Sequence, residues 1–417
     1  MKTLIQNARL NDQLVNILIQ DGKIAAIEPG LTTPADQIFD AHHHQVIPGL
    51  VDVHVHFRDP GLTYKETIAT GSKASAHGGF TTVFAMPNVK PVVDTPEAFE
   101  NMLVKNREDG VIKIKQYAAI SGDLTADHLT DIRKMAELGA IAFTNDGHGV
   151  QTADTMYQAM QMAAAVNRPI IAHVEDDSLI HGGVMNAGPA ADRLGLPGMS
   201  SLSESAQLAR DLVLAYATGC HYHVAHISTK ESVELVRMAK ARGMHVTAEV
   251  SPHHLLLDDA MIEMDNPMMK MNPPLRSPED RAALIAGLLD GTIDMVATDH
   301  APHSADEKRG SMKTASFGIV GIETAFSLIY THFVKSGLVD LDTALRWMVT
   351  NPINAFNLTD AGQLRVGDAA DLAIMDLDHA FEIDAAEFLS KGKNSPFIGD
   401  TVYGKTIATF VDGKQVY

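Results

Sequence analysis

The stretch Val46-Ile-Pro-Gly-Leu-Val-Asp-Val-His54-Val-His56-Phe-Arg58-Asp-Pro-Gly61 decides how this chain is read. Its first part is an apolar, β-rich run. Strand side chains alternate with a period of two, so His54 and His56 share one face. Two imidazoles on one face make a metal chelate. Arg58, two residues on, offers a planar fork that fits a carboxylate bidentately. The pattern predicts a metal-activated water acting on a substrate that carries a carboxylate.

Seven further runs of the same texture follow the run at 46–55. They lie at 81–85, 112–120, 140–144, 169–174, 221–227, 245–250 and 295–298. Amphipathic stretches such as 152–167 and 230–242 separate most of them. Eight strands alternating with helices predict an α/β fold, a (β/α)8 TIM-type barrel over 46–358. The link after Val250 is long and broken by prolines. The two ends differ from this middle. Short alternating strands flank Asp21-Gly22 and Asp412-Gly413, which are tight-turn signals. Short strands need partners. The segments 1–45 and 359–417 are therefore expected to meet as one small β-sandwich domain.

The chain has 417 residues, 45% of them hydrophobic and 20% charged, enough for a large core. Its net charge of −19 argues against nucleic-acid and anionic-membrane partners, not against an anionic small molecule held by a local positive site. The single cysteine, Cys220, excludes an internal disulfide framework and fits a cytoplasmic protein. The N-terminal residues lack the apolar core of a signal peptide, and no apolar run is long enough to predict a transmembrane helix.

Active-site groups of such barrels lie at the C-terminal ends of the strands. There this sequence places His54 and His56, Met86-Pro-Asn88, Asn145-Asp146-Gly147, His173-Val-Glu175, His226, and Asp299-His300-Ala-Pro-His303. Four histidines and two aspartates at the ends of five strands suit zinc. Blander readings compete. His223 lies on the opposite strand face from His226. His42-His43-His44 precede their strand. His253 and His254 are adjacent, so they face opposite ways and chelate poorly. Asp52 shares the face of His54 and His56 and is expected to be a hydrogen-bond partner behind the ligands. Arg58 could pair with Asp59, Asn88 could serve only a turn, and Asp299 could cap a helix. Cys220 is expected to pack at the start of the sixth strand.

With these residues in view, the chain resembles the class I, bacterial-type dihydroorotases of the amidohydrolase superfamily. The motifs that carry the resemblance are Asp52-Val-His-Val-His-Phe-Arg-Asp-Pro-Gly61, Met86-Pro-Asn88, Lys270-Met-Asn-Pro-Pro-Leu-Arg276 and Ala297-Thr-Asp-His-Ala-Pro-His303. The resemblance implies zinc ligation by His54, His56, Asp146, His173, His226 and Asp299, with two ions per chain and Asp146 bridging them. It implies substrate contacts from His56, from Arg58, Asn88 and His303 to a carboxylate, and from Asn272 and the backbone of Phe317-Gly318 to a pyrimidine ring. The implied reaction is the reversible hydrolysis of dihydroorotate to N-carbamoyl-L-aspartate in pyrimidine biosynthesis. A hydroxide bridging the ions would attack the ring amide, and Asp299 would be the catalytic acid/base that carries the proton to nitrogen. The family often has Asp-Asp-Gly where this chain has Asn145-Asp146-Gly147. The implied assembly is a homodimer, with aspartate transcarbamoylase as a further partner.

Two alternatives stand beside this reading. One is another cyclic amidase, a dihydropyrimidinase, hydantoinase or allantoinase, whose substrates lack the carboxylate that Arg58 would hold. The other is an inactive, dihydroorotase-like scaffold subunit, which the full ligand set opposes. Finally, the polar segment 303–318 follows the last strand and is expected to be a mobile lid over the substrate, anchored by His303 and Phe317-Gly318.

Overall fold

A closed ring of eight parallel strands occupies the middle of the chain, in a computed structural model that describes residues 2–417. The strands are Leu50–Val55, Phe80–Ala85, Lys113–Gln116, Phe143–Thr144, Ile170–Ala172, Tyr222–Val224, Val246–Val250 and Met295–Val296. Ladders join the first three and the last five. Two single parallel bridges, Ala118 to Phe143 and Val55 to His300, close the ring. The first two strands are buried at every position, as parallel strands covered on both faces must be. A helix follows each strand. Thr67, Thr95, Asp131, Thr152, Thr229 and Ser277 cap six of these helices by accepting a bond from the first turn. The expected barrel is therefore present.

The run at 46–55 is two strands, not one. Gln45–Pro48 pairs antiparallel with Leu372–Asp376 in the terminal sheet, and only Leu50–Val55 belongs to the barrel. Gly49 is the joint. A Cβ there would stand 2.2 Å from Thr81 Oγ1, so the chain crosses where only glycine fits.

Both ends of the chain build one sheet. Lys2–Leu10 pairs with Gln13–Gln20, which pairs with Lys23–Glu28. Its other edge takes Gln37–Asp40 and then Gln45–Pro48. Leu372–Asp376, Lys405–Val411 and Lys414–Gln415 continue from there. A bridge from Lys23 to Ala369 brings the far edge back, so the sheet folds around Ile5, Ile17, Ile19, Leu372, Ile374 and Phe410. Both Asp-Gly turns have two positive φ values, 51° and 80° at Asp21-Gly22 and 46° and 74° at Asp412-Gly413, the type I′ pattern of two-residue hairpins. Lys113 fastens barrel to sheet through Asp371 at 2.7 Å and Asp412 at 2.8 Å. No helix among the described residues is long and apolar enough to cross a membrane.

Candidate active site

The C-terminal ends of the barrel strands converge on one buried cluster. His54 Nε2 lies 3.4 Å from both Asp146 Oδ1 and Asp299 Oδ1. His56 Nε2 lies 3.1 Å from Asp299 Oδ1 and 3.5 Å from Asp146 Oδ2. His226 Nε2 is 3.5 Å from Asp146 Oδ1, and His173 Nδ1 is 2.9 Å from His226 Nε2. Two triads have ligand atoms within 4.8 Å of one another: His54, Asp146 and His226, and His54, His56 and Asp299. His54 thus stands between them. The structure brings together all six residues that the resemblance implies as ligands.

The cluster fits a cation on its own terms. His54 Nε2 and Asp146 Oδ1 are buried and have no hydrogen-bond partner, an arrangement too costly to persist without one. The charges agree. Burial disfavours a proton on His54, yet Glu249, Asp146 and Asp299 outweigh it and hold its pKa well above the ordinary value. Burial raises Asp299, but His54 and His56 outweigh it and bring its carboxyl below the usual range. Asp299 and His226 adopt positive φ, 45° and 31°, a strained backbone of the kind found at functional sites.

A cavity of about 210 Å³ opens beside the cluster. Its lining includes His56, Arg58, Asn88, Asn272, His303, Phe317 and Gly318, every residue expected to touch substrate. Several of these also have internal duties. Asn88 Oδ1 meets His56 Nδ1 at 3.0 Å, so Asn88 orients that ring as well as facing the cavity. His303 Nε2 donates to Phe317 O at 2.7 Å, and its Nδ1 lies 3.4 Å from Lys65 Nζ. The Gly318 N–H donates to Lys270 O at 3.1 Å. Arg58, at φ 59°, has its Nε 3.4 Å from Pro302 O and, among the described residues, no carboxylate within ion-pair distance. Lys105, not Arg58, approaches Asp59, at 3.4 Å.

Other residues that the sequence brought into view lie outside the cluster. Asp52 accepts from the backbone N–H of His54 at 3.0 Å and from Thr298 N and Oγ1, so it joins the first and last strands rather than meeting an imidazole. Asn145 turns away from the cluster. Its Oδ1 accepts from Ile120 N and Ser121 N, and its Nδ2 donates to Ser121 Oγ at 2.8 Å. An amide has the donor and the acceptor that this position uses. His253 and His254 open the short helix Pro252–Leu256, where His254 bridges Ser251 Oγ and Pro273 O. Cys220 is buried, and burial pushes its thiol up to about 12.

Glu249 was not singled out from the sequence. It lies behind the cluster, with Oε1 2.5 Å from His54 Nδ1 and Oε2 3.0 Å from His223 Nε2. Burial raises its carboxyl, but His54 and His223 prevail and bring it to about 2. The signal was present in Thr247-Ala-Glu249, where period two puts both polar side chains on one face of a buried strand. Thr247 Oγ1 indeed meets His223 Nδ1 at 2.8 Å. Glu175 was likewise passed over. Its Oε2 accepts from Asn272 Nδ2 at 2.8 Å, which aims the amide along the cavity wall.

A closed eight-stranded barrel with this histidine and aspartate cluster at its C-terminal end defines an amidohydrolase. The comparisons agree. The family model described as Dihydro-orotase-like matches residues 44–232, and that described as Amidohydrolase family matches 219–417. The chain is 59% identical to the dihydroorotase of Ligilactobacillus salivarius and 59% to that of Lactiplantibacillus plantarum, each alignment covering 100% of this chain and 99% of the relative. Among solved structures, the L-hydantoinase (dihydropyrimidinase) of Arthrobacter aurescens superposes with a TM-score of 0.88 at 29% identity, covering 99% of this chain and 95% of that one. The D-hydantoinase of a Thermus species gives 0.85 at 26% identity, covering 99% and 94%. The chain belongs to the dihydroorotase family.

Proposed function

We propose that the chain catalyses the reversible hydrolysis of L-dihydroorotate to N-carbamoyl-L-aspartate, with zinc held by His54, His56, Asp146, His173, His226 and Asp299. The observation that carries the metal reading is the pair of unpartnered buried atoms, His54 Nε2 and Asp146 Oδ1, at the centre of that set. The two triads share His54, and the two oxygens of Asp146 lie 3.5 Å from His226 Nε2 and from His56 Nε2, so Asp146 would be the carboxylate to hold a second ion beside the first. Zinc held there would lower the pKa of bound water to about 7 and would polarise an amide carbonyl.

The chain's own residues do the rest. Arg58 faces the cavity and pairs with the substrate carboxylate, and His303 and Asn88 stand beside it. Asn272 and the Phe317-Gly318 wall hold the ring. Asp299, low enough in pKa to be ionised, takes a proton from the attacking water and passes it to the departing ring nitrogen. Arg58 also separates this reading from a hydantoinase or dihydropyrimidinase activity. A largely buried guanidinium without a carboxylate partner is costly, and dihydroorotate supplies one where dihydrouracil does not. The test is turnover of dihydroorotate against dihydrouracil by the zinc-loaded chain, alongside a zinc-to-protein ratio. Preference for dihydrouracil, or full activity without metal, overturns the reading. The same proposal places the enzyme in the cytoplasm as a homodimer, with aspartate transcarbamoylase as a candidate partner. It also takes 46–358 as the catalytic unit, flanked by the two terminal segments.

A further inference from the structure

Lys308 lies in the strap 303–318 and is 2% exposed. Its Nζ donates to the carbonyls of Lys270, Ser316 and Gly318, each at 3.0 Å. An ammonium has three donors, and all three are used on backbone. Among the described residues no carboxylate lies within ion-pair distance of it. A buried charge needs compensation, and here three carbonyl dipoles provide it.

The three acceptors come from two parts of the cavity wall. Lys270 belongs to the segment that carries Asn272, in the long connection after the seventh strand. Ser316 and Gly318 flank Phe317 in the connection after the eighth. Gly318 O also accepts from Asn394 Nδ2 at 3.0 Å, and Asn394 Oδ1 accepts from His303 N at 3.0 Å. Gly318 allows no substitute. Its φ is 141°, and a Cβ would stand 2.8 Å from Ala301 O.

We propose that Lys308 is a positioning residue whose ammonium locks the Asn272 segment and the Phe317-Gly318 segment into one wall of the substrate cavity. The proposal rests on the dihydroorotase reading. It also revises the expectation for 303–318, whose middle is held by a buried lysine instead of lying loosely over the site. Asn272, Phe317 and Gly318 of this wall line the cavity, and Asn272 Nδ2 lies 3.4 Å from His173 Nε2. Removing Lys308 takes one donor from each of three carbonyls and, among the described residues, leaves Ser316 O without one, so the two segments stay joined only through Gly318 N–H to Lys270 O and Lys270 Nζ to Ala315 O. The loss therefore falls on binding, hence on KM, more than on the chemical step.

The test uses the full zinc-loaded chain and compares Lys308→Met with Lys308→Gln, which keeps an N–H donor group. Lys308→Met is expected to raise KM for dihydroorotate by about tenfold, the size of one or two lost buried hydrogen bonds. It should weaken binding of N-carbamoyl-L-aspartate in calorimetry by a similar factor, with kcat and zinc content held near wild type. Lys308→Gln should fall between the two. If Lys308→Met does not fold, Lys308→Gln alone carries the same comparison. An unchanged KM and product affinity, or a fall in kcat together with zinc content, overturns the proposal. Absence of dihydroorotate turnover in the wild-type control counts instead against the activity assignment.

Discussion

Asp299 combines three properties rarely found in one carboxylate. It has a positive φ, it touches His54 and His56, and it borders the cavity. As the proposed proton carrier, its loss should fall on turnover. Asp299→Asn is expected to cut kcat by roughly 10²–10⁴-fold while product affinity, read by calorimetry, survives better. A variant with more than about a tenth of wild-type kcat would contradict the role, since such catalysis is typically worth at least about 10²-fold. Glu249 acts one shell further out. Its bond to His54 Nδ1 fixes which nitrogen of that ring faces the cluster. Glu249→Gln should weaken zinc affinity by about 10–100-fold, measured by competition with a chromogenic chelator. The six ligand candidates were legible because their spacing and their places at strand ends are properties of the sequence. Glu249 is hard to read because its local mark, two polar side chains on one face of a buried strand, names no partner. Its partners His54 and His223 come from two other strands, and only the closed ring brings them together.

Elements were read well where strand and helix alternate, and poorly where one run serves two sheets. The apolar texture of 46–55 does not change at Gly49, yet its two halves pair with strands from different parts of the fold. Periodicity reports burial, and both halves are buried. Gly49→Ala should destabilise the protein more than an ordinary surface change, by roughly 1–3 kcal/mol in chemical denaturation, because the new methyl meets Thr81. An unchanged midpoint would show that Thr81 can move aside. The start of the sixth strand makes a different prediction. His221 stacks on His245 with ring centroids 3.8 Å apart and meets Thr247 Oγ1 at 2.8 Å. Burial and then the neighbouring His245 lower its pKa to about 3. In the unfolded chain it titrates near 6.5, so on acidification the unfolded state takes up this proton first. The stability that neutral His221 contributes is therefore present above about 6.5 and lost as pH falls toward about 3, by an amount on the order of a few kcal/mol. His221→Phe should flatten that acid limb by close to one proton. Parallel pH–stability curves for the two proteins would refute it.

At the scale of the whole molecule, metal and fold are coupled. The cluster packs ionisable groups from five strands into one buried volume, with two polar atoms unsatisfied. Any cation that binds there and not to the unfolded chain stabilises the fold by RT ln(1 + [L]/Kd), about 2.7 kcal/mol at a hundredfold excess over Kd. Chelation should lower the thermal midpoint and zinc should restore it, and equal midpoints would detach the cluster from metal binding. The overall architecture was legible because eight strand-like runs between helices leave few alternatives to a closed parallel barrel. The clamping of the cavity by Lys308 and Asn394 was not, since their partners are backbone carbonyls and the backbone N–H of His303, which carry no sequence signal.

Asn394 ties the end of the chain to the substrate cavity, and this sets an order of events during translation. When the ribosome has made the eighth strand and its helix, every proposed metal ligand has already emerged. Ala301 O, Gly318 O and His303 N must still wait for Asn394. Gln45–Pro48, made far earlier, waits several times longer for Leu372–Asp376. At about 5–20 residues per second the wait for Asn394 is a matter of seconds. A nascent chain interrupted in that interval carries the proposed metal ligands without a finished cavity wall, and competence for the reaction waits for the segment that carries Asn394.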